Sequence, residues 1–307
     1  MLKPEPPAKA AFVLGFQQKI RLGERLPSKE QIMTESSHRK AKSGLASDFS
    51  GVAARYDSTR DLPQEYLLAC YARLVERGLL PATGLILDAG CGTGQVSLPL
   101  AAQGYEVRGI DIAAEMIAIA QAKVQSGWHA DYAVGDVRDI AFDTHSIDAI
   151  VVSKLFQHIE DWKGACRELI RVARPGACLI QINERGAFGN AVRRYFARRA
   201  DELGYAGRYL GLNPHGEAEL RAHMKAEGCE AIPFDVSDLR WTTGISYGEA
   251  LGRLRDRLYA EFWYLPEAVH RQLVAETSAW VEAQREGRAT IDRLTPYLVV
   301  EVFRTPR

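Results

Sequence analysis

Three aspartates and one glycine-rich loop are the residues whose types and spacing point to chemistry. The loop reads Asp88-Ala89-Gly90-Cys91-Gly92-Thr93-Gly94 and follows the short apolar run 85–87. Glycines at alternate positions let the backbone turn sharply and approach a ligand closely, because they carry no side chain. An amphipathic segment from Leu98 to Gly104 follows, so the pattern predicts a strand, a tight loop and a helix. The free N–H groups at the start of such a helix favour anionic ligand groups.

The spacing of the glycines separates two classes of ligand. A dinucleotide-binding loop has the pattern G-x-G-x-x-G, in which a pyrophosphate sits over the helix start. Counted from Gly90 or Gly92, the last glycine of that pattern would stand at Gln95 or Ser97. The spacing therefore disfavours a nicotinamide-dependent dehydrogenase.

Two further aspartates follow the next two predicted strands. Asp111 follows the segment 105–110, and Asp136 follows the segment 130–134 and Gly135. In a parallel sheet a ligand lies beyond the carboxyl ends of the strands. A carboxylate at Asp111 can accept two hydrogen bonds from the vicinal hydroxyls of a ribose. We therefore expect the three aspartates to surround one nucleoside site.

Strands and helices alternate regularly after residue 85, which predicts an α/β fold with a doubly wound, mostly parallel sheet. The predicted strands are 85–88, 105–110, 130–134, 147–152, 177–182, 232–241 and 297–303. The predicted helices are 63–78, 98–104, 112–124, 162–172, 188–203, 216–227, 246–262 and one that starts at Pro266. Ser246 and Glu249 have the spacing of a capping box at the start of their helix.

The Asp-x-Gly-x-Gly-x-Gly loop after a buried strand, with aspartates at the next two strand ends, resembles the first motif of the class I S-adenosylmethionine-dependent methyltransferases. The resemblance extends to their small-molecule group. It implies S-adenosyl-L-methionine as the cofactor, a seven-stranded sheet whose last strand is antiparallel, and a helical lid over the carboxyl ends of the strands. The implied methyltransferase domain is 47–307, with the core sheet at about 81–183, 214–241 and 292–307 and the lid at about 49–80, 184–213 and 242–290.

Residues 1–46 are predicted to be a disordered extension, because they combine a proline-rich, charged start with a polar stretch that lacks periodicity. Met33 is an alternative natural start. The resemblance further implies that the segment 50–60 closes over the cofactor. It also implies that Asp88 steadies the glycine loop and that Asp136 and Val137 recognise adenine. The implied cofactor-binding residues are Tyr56, Arg60, Asp88, Ala89, Gly90, Cys91, Gly92, Thr93, Gly94, Asp111, Ile112, Met116, Gly135, Asp136, Val137, Ser153 and Lys154.

The segment 153–159 follows the fourth strand, where family members contact the sulfonium end of the cofactor and the incoming substrate. His158 is the predicted general base, because an imidazole titrates near neutral pH. The alternative is a structural histidine at the start of a helix. Lys154 stands where a small or apolar residue is expected, so it would either pair with an anionic substrate or point to solvent.

Composition narrows the partners. The formal net charge is zero, so no overall field attracts nucleic acid or a membrane. The five cysteines form no C-x-x-C pair, which favours a reducing cytoplasm over a disulfide framework or a zinc site. No catalytic triad, metal-ligand spacing or membrane span is visible in the sequence. We expect direct in-line methyl transfer to a small-molecule acceptor, without a metal.

Two other functions stay open. One is a protein that binds S-adenosylmethionine or S-adenosylhomocysteine without catalysis. The other is an RNA methyltransferase that uses Arg193, Arg194, Arg198 and Arg199, although the neutral net charge makes nucleic acid an unexpected partner. The acceptor atom and the oligomeric state are not determined by the sequence.

Overall fold

A computed structural model describes residues 49–59, 62–187 and 189–307 of the chain. The predicted extension 1–46, with the alternative start at Met33, lies outside these residues. Seven strands form the main sheet in the order β3-β2-β1-β4-β5-β9-β6, and two more, β7 and β8, form a separate two-stranded sheet. The strands are β1 (Leu85–Ala89), β2 (Glu106–Asp111), β3 (Ala130–Val134), β4 (Ile147–Val152), β5 (Ala173–Arg185), β6 (Glu230–Ile232), β7 (Thr243–Ser246), β8 (Ile291–Leu294) and β9 (Tyr297–Arg304).

The sheet confirms the predicted α/β class and its topology. Strands β1 to β5 pair in parallel, whereas β9 runs antiparallel between β5 and β6. All five residues of β1 are buried, as expected for a central strand that is covered on both faces. The strand order reverses between β1 and β4, so the crevice for a ligand opens beyond their carboxyl ends.

Helices cover both faces of this sheet. Alternate residues of β1 enter different cores: Ile86 packs in one cluster with Leu74 and Val107, and Leu87 packs in the other with Leu169. The helices of the described residues that are five residues or longer are α1 (Gln64–Glu76), α2 (Leu98–Ala102), α3 (Ala114–Ala122), α4 (Trp162–Val172), α5 (Ala191–Glu202), α6 (Glu217–Ala226), α7 (Tyr247–Arg255) and α8 (Glu267–Glu282).

Helices α5, α7 and α8 form a lid with an apolar cluster of its own. Phe196 of α5, Leu254 of α7 and Leu273 of α8 are all buried in that cluster. The Ser246 hydroxyl accepts the Glu249 N–H at 3.1 Å, which confirms the predicted helix start. The helical lid that the resemblance implied is therefore present.

The predicted strand 232–241 is wrong over most of its length. Strand β6 ends at Ile232 because Pro233 has no N–H to donate to the next strand. The Asp235 carboxylate then accepts the Ser237 N–H at 2.9 Å and turns the chain. Trp241 is buried in the core from a non-strand position, which explains the misleading apolar pattern.

Three other boundaries differ from the prediction. Strand β5 begins at Ala173, so Arg174-Pro175-Gly176 belongs to the strand rather than to a helix stop. Helix α7 ends at Arg255, and Phe262 lies in a separate short turn. Strand β8, which lies in the predicted core-sheet range 292–307, pairs antiparallel with β7 and not with the main sheet.

Candidate active site

The glycine loop between β1 and α2 adopts a backbone that side chains disfavour. Gly90 has a φ of +70° and Gly92 a φ of +52°, both in the left-handed region. A Cβ added to Gly90 would lie 2.4 Å from Leu155 Cδ1, whereas one added to Gly92 would meet no atom within 4 Å. The N–H groups of Gly90 and Cys91 donate to the Ile110 carbonyl at 2.8 and 2.9 Å. These bonds hold the loop beside the end of β2, with Gly92 facing open space.

Asp111 lies at the end of β2 and contacts this loop directly. Its Oδ2 atom accepts the Gly92 N–H at 2.8 Å, and its Oδ1 atom accepts the Ala113 N–H at 2.9 Å. Burial raises the pKa of the carboxyl, and the hydrogen bonds from Ala113 and Gly92 oppose that rise. Each carboxylate oxygen has two lone pairs, so both can still accept a hydrogen bond from a ligand.

Asp136 is paired with an arginine that the sequence reasoning missed. Arg138 Nη2 lies 2.7 Å from Asp136 Oδ2, and Arg138 Nε donates to Asp136 Oδ1 at 2.9 Å. The arginine side chain is only 6% exposed, so the pair is held in one geometry. The available signal was a cation two residues after a strand-end aspartate.

The first chamber is an open cavity of about 660 Å³ at the carboxyl ends of β1 to β4. The predicted residues in its wall are Tyr56, Gly90, Gly92, Asp111, Ile112, Met116, Gly135, Asp136, Val137, Ser153, Lys154 and His158. The wall residues that the sequence reasoning missed are Phe49, Arg138, Leu155 and Ile159.

Five other predicted residues do not line this chamber. They are Asp88, Ala89, Cys91, Thr93 and Gly94, all of which are buried behind the wall. Burial raises the pKa of Asp88 to about 7, and the Ser97 hydroxyl partly opposes the rise. That Asp88 steadies the glycine loop stays a prediction, and Arg60 lies outside the described residues.

A cap segment of three short helical turns, Ser50–Val52, Ala53–Tyr56 and Asp57–Thr59, contacts the glycine loop. The Asp57 carboxylate accepts the Thr93 hydroxyl at 2.5 Å and also pairs with Lys123. Phe49, just before the cap segment, packs edge-on against His158 with ring centroids 4.8 Å apart. The cap segment thus joins the loop to the wall that contains His158.

A second chamber, an open cavity of about 650 Å³, shares four wall residues with the first. The shared residues are Phe49, Tyr56, Lys154 and His158. The remaining wall residues are Gln157, Asn183, Glu184, Arg185, Arg193, Tyr209, Pro214, Tyr259, Ala260 and Glu261. Most of these come from the end of β5 and from the lid, so their meeting depends on how the lid packs over the sheet.

The structure corrects one sequence interpretation of Lys154. Its Nζ atom lies 2.8 Å from Glu184 Oε1, and its side chain is 14% exposed. The side chain therefore does not point to solvent, whereas its pairing with an anionic substrate stays a prediction. Its backbone has a φ of +52°, and its N–H donates to Asn183 Oδ1 at 3.0 Å. Lys154 is thus a strained residue that two residues of β5 hold in place, and backbone strain of this kind is common at functional sites.

Neither a metal centre nor a membrane span is found among the described residues. Within residues 49–59, 62–187 and 189–307, no three His, Cys, Asp or Glu side chains are placed to hold a metal ion. Over the same ranges, no helix combines the length and apolar character needed to cross a membrane.

The sheet order and the chamber beside the glycine loop define a class I methyltransferase fold. The YcgJ protein of Bacillus subtilis has this fold, with a TM-score of 0.52 and 15% identity over 80% of this chain and 100% of that one. A family profile described as a methyltransferase domain matches residues 87–180.

Two relatives extend the match. A demethylmenaquinone methyltransferase of Thermus thermophilus is 35% identical over 199 residues, 59% of this chain and 90% of that protein. A ubiquinone biosynthesis O-methyltransferase of Xanthomonas axonopodis pv. citri is 32% identical over 251 residues, 77% and 99% of the two chains. The chain belongs to the S-adenosylmethionine-dependent methyltransferases, which makes S-adenosylmethionine its cofactor.

Proposed function

We propose that the first chamber holds S-adenosylmethionine, that the second holds a small-molecule acceptor, and that the methyl group passes between them at the wall of Phe49, Tyr56, Lys154 and His158. The observation that carries the proposal is this shared wall, since two adjoining chambers of similar volume meet at four residues. The two relatives support a small acceptor, because their names refer to menaquinone and ubiquinone chemistry.

The residues of the first chamber fit the parts of the cofactor. The Asp111 carboxylate retains lone pairs for the two ribose hydroxyls. Gly92 leaves space beside that carboxylate, because its missing side chain would point into the open cavity. Met116 and Val137 supply apolar wall for the adenine ring, and the paired Asp136 carboxylate accepts its amino group.

The protein contributes positioning, exclusion of water and one base. When bound, the cofactor supplies a sulfonium methyl group that leaves behind a neutral thioether. The cap segment and Phe49 cover the wall between the chambers and keep water from it. Holding two reactants in line can lower a barrier by ~7–11 kcal/mol. His158 lines both chambers, so its imidazole is placed to take the proton of a hydroxyl or ammonium acceptor.

Charge pairing on α5 argues against RNA as the acceptor. Arg193 pairs with Glu261, Arg199 with Glu276, and Arg198 with Glu202. These cations are already matched by carboxylates, so they do not form a basic surface for phosphates. For location we propose the cytoplasm, since all five cysteines are buried thiols without a disulfide.

The test is to incubate the protein with methyl-labelled S-adenosylmethionine and a small-molecule cell extract, and to identify the labelled product by mass spectrometry. Calorimetry with S-adenosylhomocysteine gives the binding constant in parallel. Asp111→Ala should weaken that binding at least tenfold, because it removes the ribose acceptor and a bond to Gly92. Binding without any labelled product would leave a silent binding protein, and no binding would refute the chamber assignment.

A further inference from the structure

Glu184 is a buried carboxylate in the wall of the second chamber with one oxygen satisfied and one not. Its side chain is fully shielded from solvent, and Oε1 lies 2.8 Å from Lys154 Nζ. Among the residues that the structure describes, Oε2 has no hydrogen-bond partner. A buried acceptor without a donor destabilises the folded protein, and more so when it is charged. Because Oε2 is shielded even from the open chamber, a ligand supplies the missing donor when the side chains that cover this oxygen move aside.

The other charges of the second chamber are already balanced. Arg193 Nε donates to Glu261 Oε1 at 2.9 Å, and Arg185 pairs with Glu217. Lys154 is balanced by Glu184 itself. A carboxylate or phosphate group would therefore find each of these cations occupied and would approach the Glu184 carboxylate. A hydroxyl or an amine would instead give Oε2 the hydrogen bond that it lacks.

The position of Glu184 relates this interaction to methyl transfer. Strand β5 runs parallel to β4, and Val152, the last residue of β4, pairs with Gln181. Glu184 therefore lies beyond the end of β4, next to the turn that carries Lys154. Because Lys154 lines both chambers, a donor held by Glu184 lies beside the shared wall.

We propose that Glu184, held in place by Lys154, binds the O–H or N–H group of the acceptor and selects hydroxyl- or amine-bearing acceptors over carboxylates. This inference rests on the proposed function and narrows the class of its substrate. It makes Glu184 a specificity-determining residue, distinct from the base assigned to His158.

The first test uses the chemistry of the labelled product and works before its full structure is solved. The protein is incubated with methyl-labelled S-adenosylmethionine and a small-molecule cell extract, and the product fraction is treated with alkali. Methyl esters, the products of carboxylate acceptors, release labelled methanol, whereas methyl ethers, methylamines and carbon-bound methyl groups do not. We expect the labelled methyl group to remain on the product after this treatment. Release of labelled methanol would overturn the proposal while the methyltransferase assignment stood.

The second test uses Glu184→Gln, which keeps the shape of the side chain and removes its charge. We expect the rate of labelling at limiting extract to fall about 10- to 100-fold, with S-adenosylhomocysteine affinity within twofold of wild type by calorimetry. Glu276→Gln is the matched control, because Glu276 pairs with Arg199 on the lid outside both chambers. A wild-type rate in Glu184→Gln would refute the role of Glu184.

A third variant separates binding of the acceptor from simple neutralisation of Lys154. Lys154→Met/Glu184→Leu removes both charges together, a change that buried pairs often tolerate in folding. If Glu184 served only to balance Lys154, this double variant would recover the rate lost in Glu184→Gln. We expect no recovery, with S-adenosylhomocysteine still bound. Recovery of the double variant to at least half of the wild-type rate would contradict the proposal. If the wild-type protein does not bind S-adenosylhomocysteine at all, the underlying function is refuted instead.

Discussion

At the scale of single residues, the proposed role of His158 as a base can be tested by substituting that residue alone. It lies in the wall of both chambers and packs against Phe49. We expect His158→Ala to slow turnover roughly 10²- to 10⁴-fold, the usual contribution of a positioned base. Cofactor binding should persist, because Asp111 and the glycine loop are untouched. The measurement is single-turnover labelling beside calorimetry with S-adenosylhomocysteine.

A purely structural histidine gives a different pattern. In that case His158→Ala would weaken S-adenosylhomocysteine binding or lower the unfolding temperature, and turnover per folded, loaded protein would stay at the wild-type value. His158→Gln, which keeps a polar group of similar reach, serves as the control for lost packing against Phe49. Equal turnover in wild type and both variants would remove His158 from the mechanism.

Asp88 makes the stability of the protein depend on pH. Burial raises the pKa of Asp88 from 3.8 to about 7 in the folded state. Between those values the folded protein binds more protons than the unfolded chain, so stability falls as pH rises from about 4 to 7 and then levels off. The loss amounts to at most about 4 kcal/mol, since each pKa unit corresponds to about 1.4 kcal/mol.

We expect Asp88→Asn to flatten this dependence, because asparagine does not titrate. Urea unfolding of wild type and variant at pH 5 and pH 8 measures the change. Asp143→Asn, at an exposed aspartate, is the control and should retain the wild-type slope. A variant whose free energy of unfolding declines as steeply as that of wild type would contradict the prediction.

At the scale of elements, the cap segment Ser50–Thr59 is held by the apolar contact of Ala53 with Ala113 and Met116 and by polar contacts at its end. The Asp57 carboxylate accepts the Thr93 hydroxyl and pairs with Lys123, while Lys123 also donates to the Thr93 carbonyl at 3.0 Å. The cap segment therefore closes directly over the glycine loop. Because these contacts are partly exposed, their contribution is modest.

We expect Asp57→Ala to release the cap segment and to speed dissociation of S-adenosylhomocysteine roughly 5- to 30-fold, as a loss of about 1–2 kcal/mol predicts. The free energy of unfolding should change little, because the core is untouched. Stopped-flow displacement measures the rate. Ser58→Ala is the matched control, since the Ser58 hydroxyl bonds only within the segment, to the Arg55 carbonyl. Identical off-rates in Asp57→Ala and Ser58→Ala would refute the closing role.

At the scale of the described molecule, there are four apolar clusters, and the smallest packs Ala53 of the cap segment against Ala113 and Met116. Two of them flank the main sheet and hold the glycine loop and the strand ends in place. The third lies within the lid, around Phe196 and Leu273. The second chamber forms where the lid meets the end of β5, so its shape depends on the lid and that of the first chamber on the sheet.

The sequence alone predicted most of the sheet and most of the residues that line the first chamber. Strands β3 and β4 and helix α4 have the predicted bounds, because continuous apolar runs and helical periodicity are local signals. Twelve predicted residues line the first chamber, since carboxyl ends of parallel strands meet at one edge of a sheet. The prediction of a strand over 232–241 was wrong because Trp241, which is buried in the core, gave a strand-like apolar pattern where no strand forms.

The residues that form the second chamber could be identified only from the tertiary structure. Lys154 and Glu184 are 30 residues apart, and Arg193 and Glu261 are 68 apart. Lysines, arginines and glutamates are common throughout the chain, so no spacing identifies which of them pair. The first pair follows from the pairing of β4 with β5 and the second from contacts within the lid, and both are long-range contacts. The cofactor could therefore be predicted from local sequence patterns, whereas the chemistry of the acceptor depends on side chains that only folding brings together.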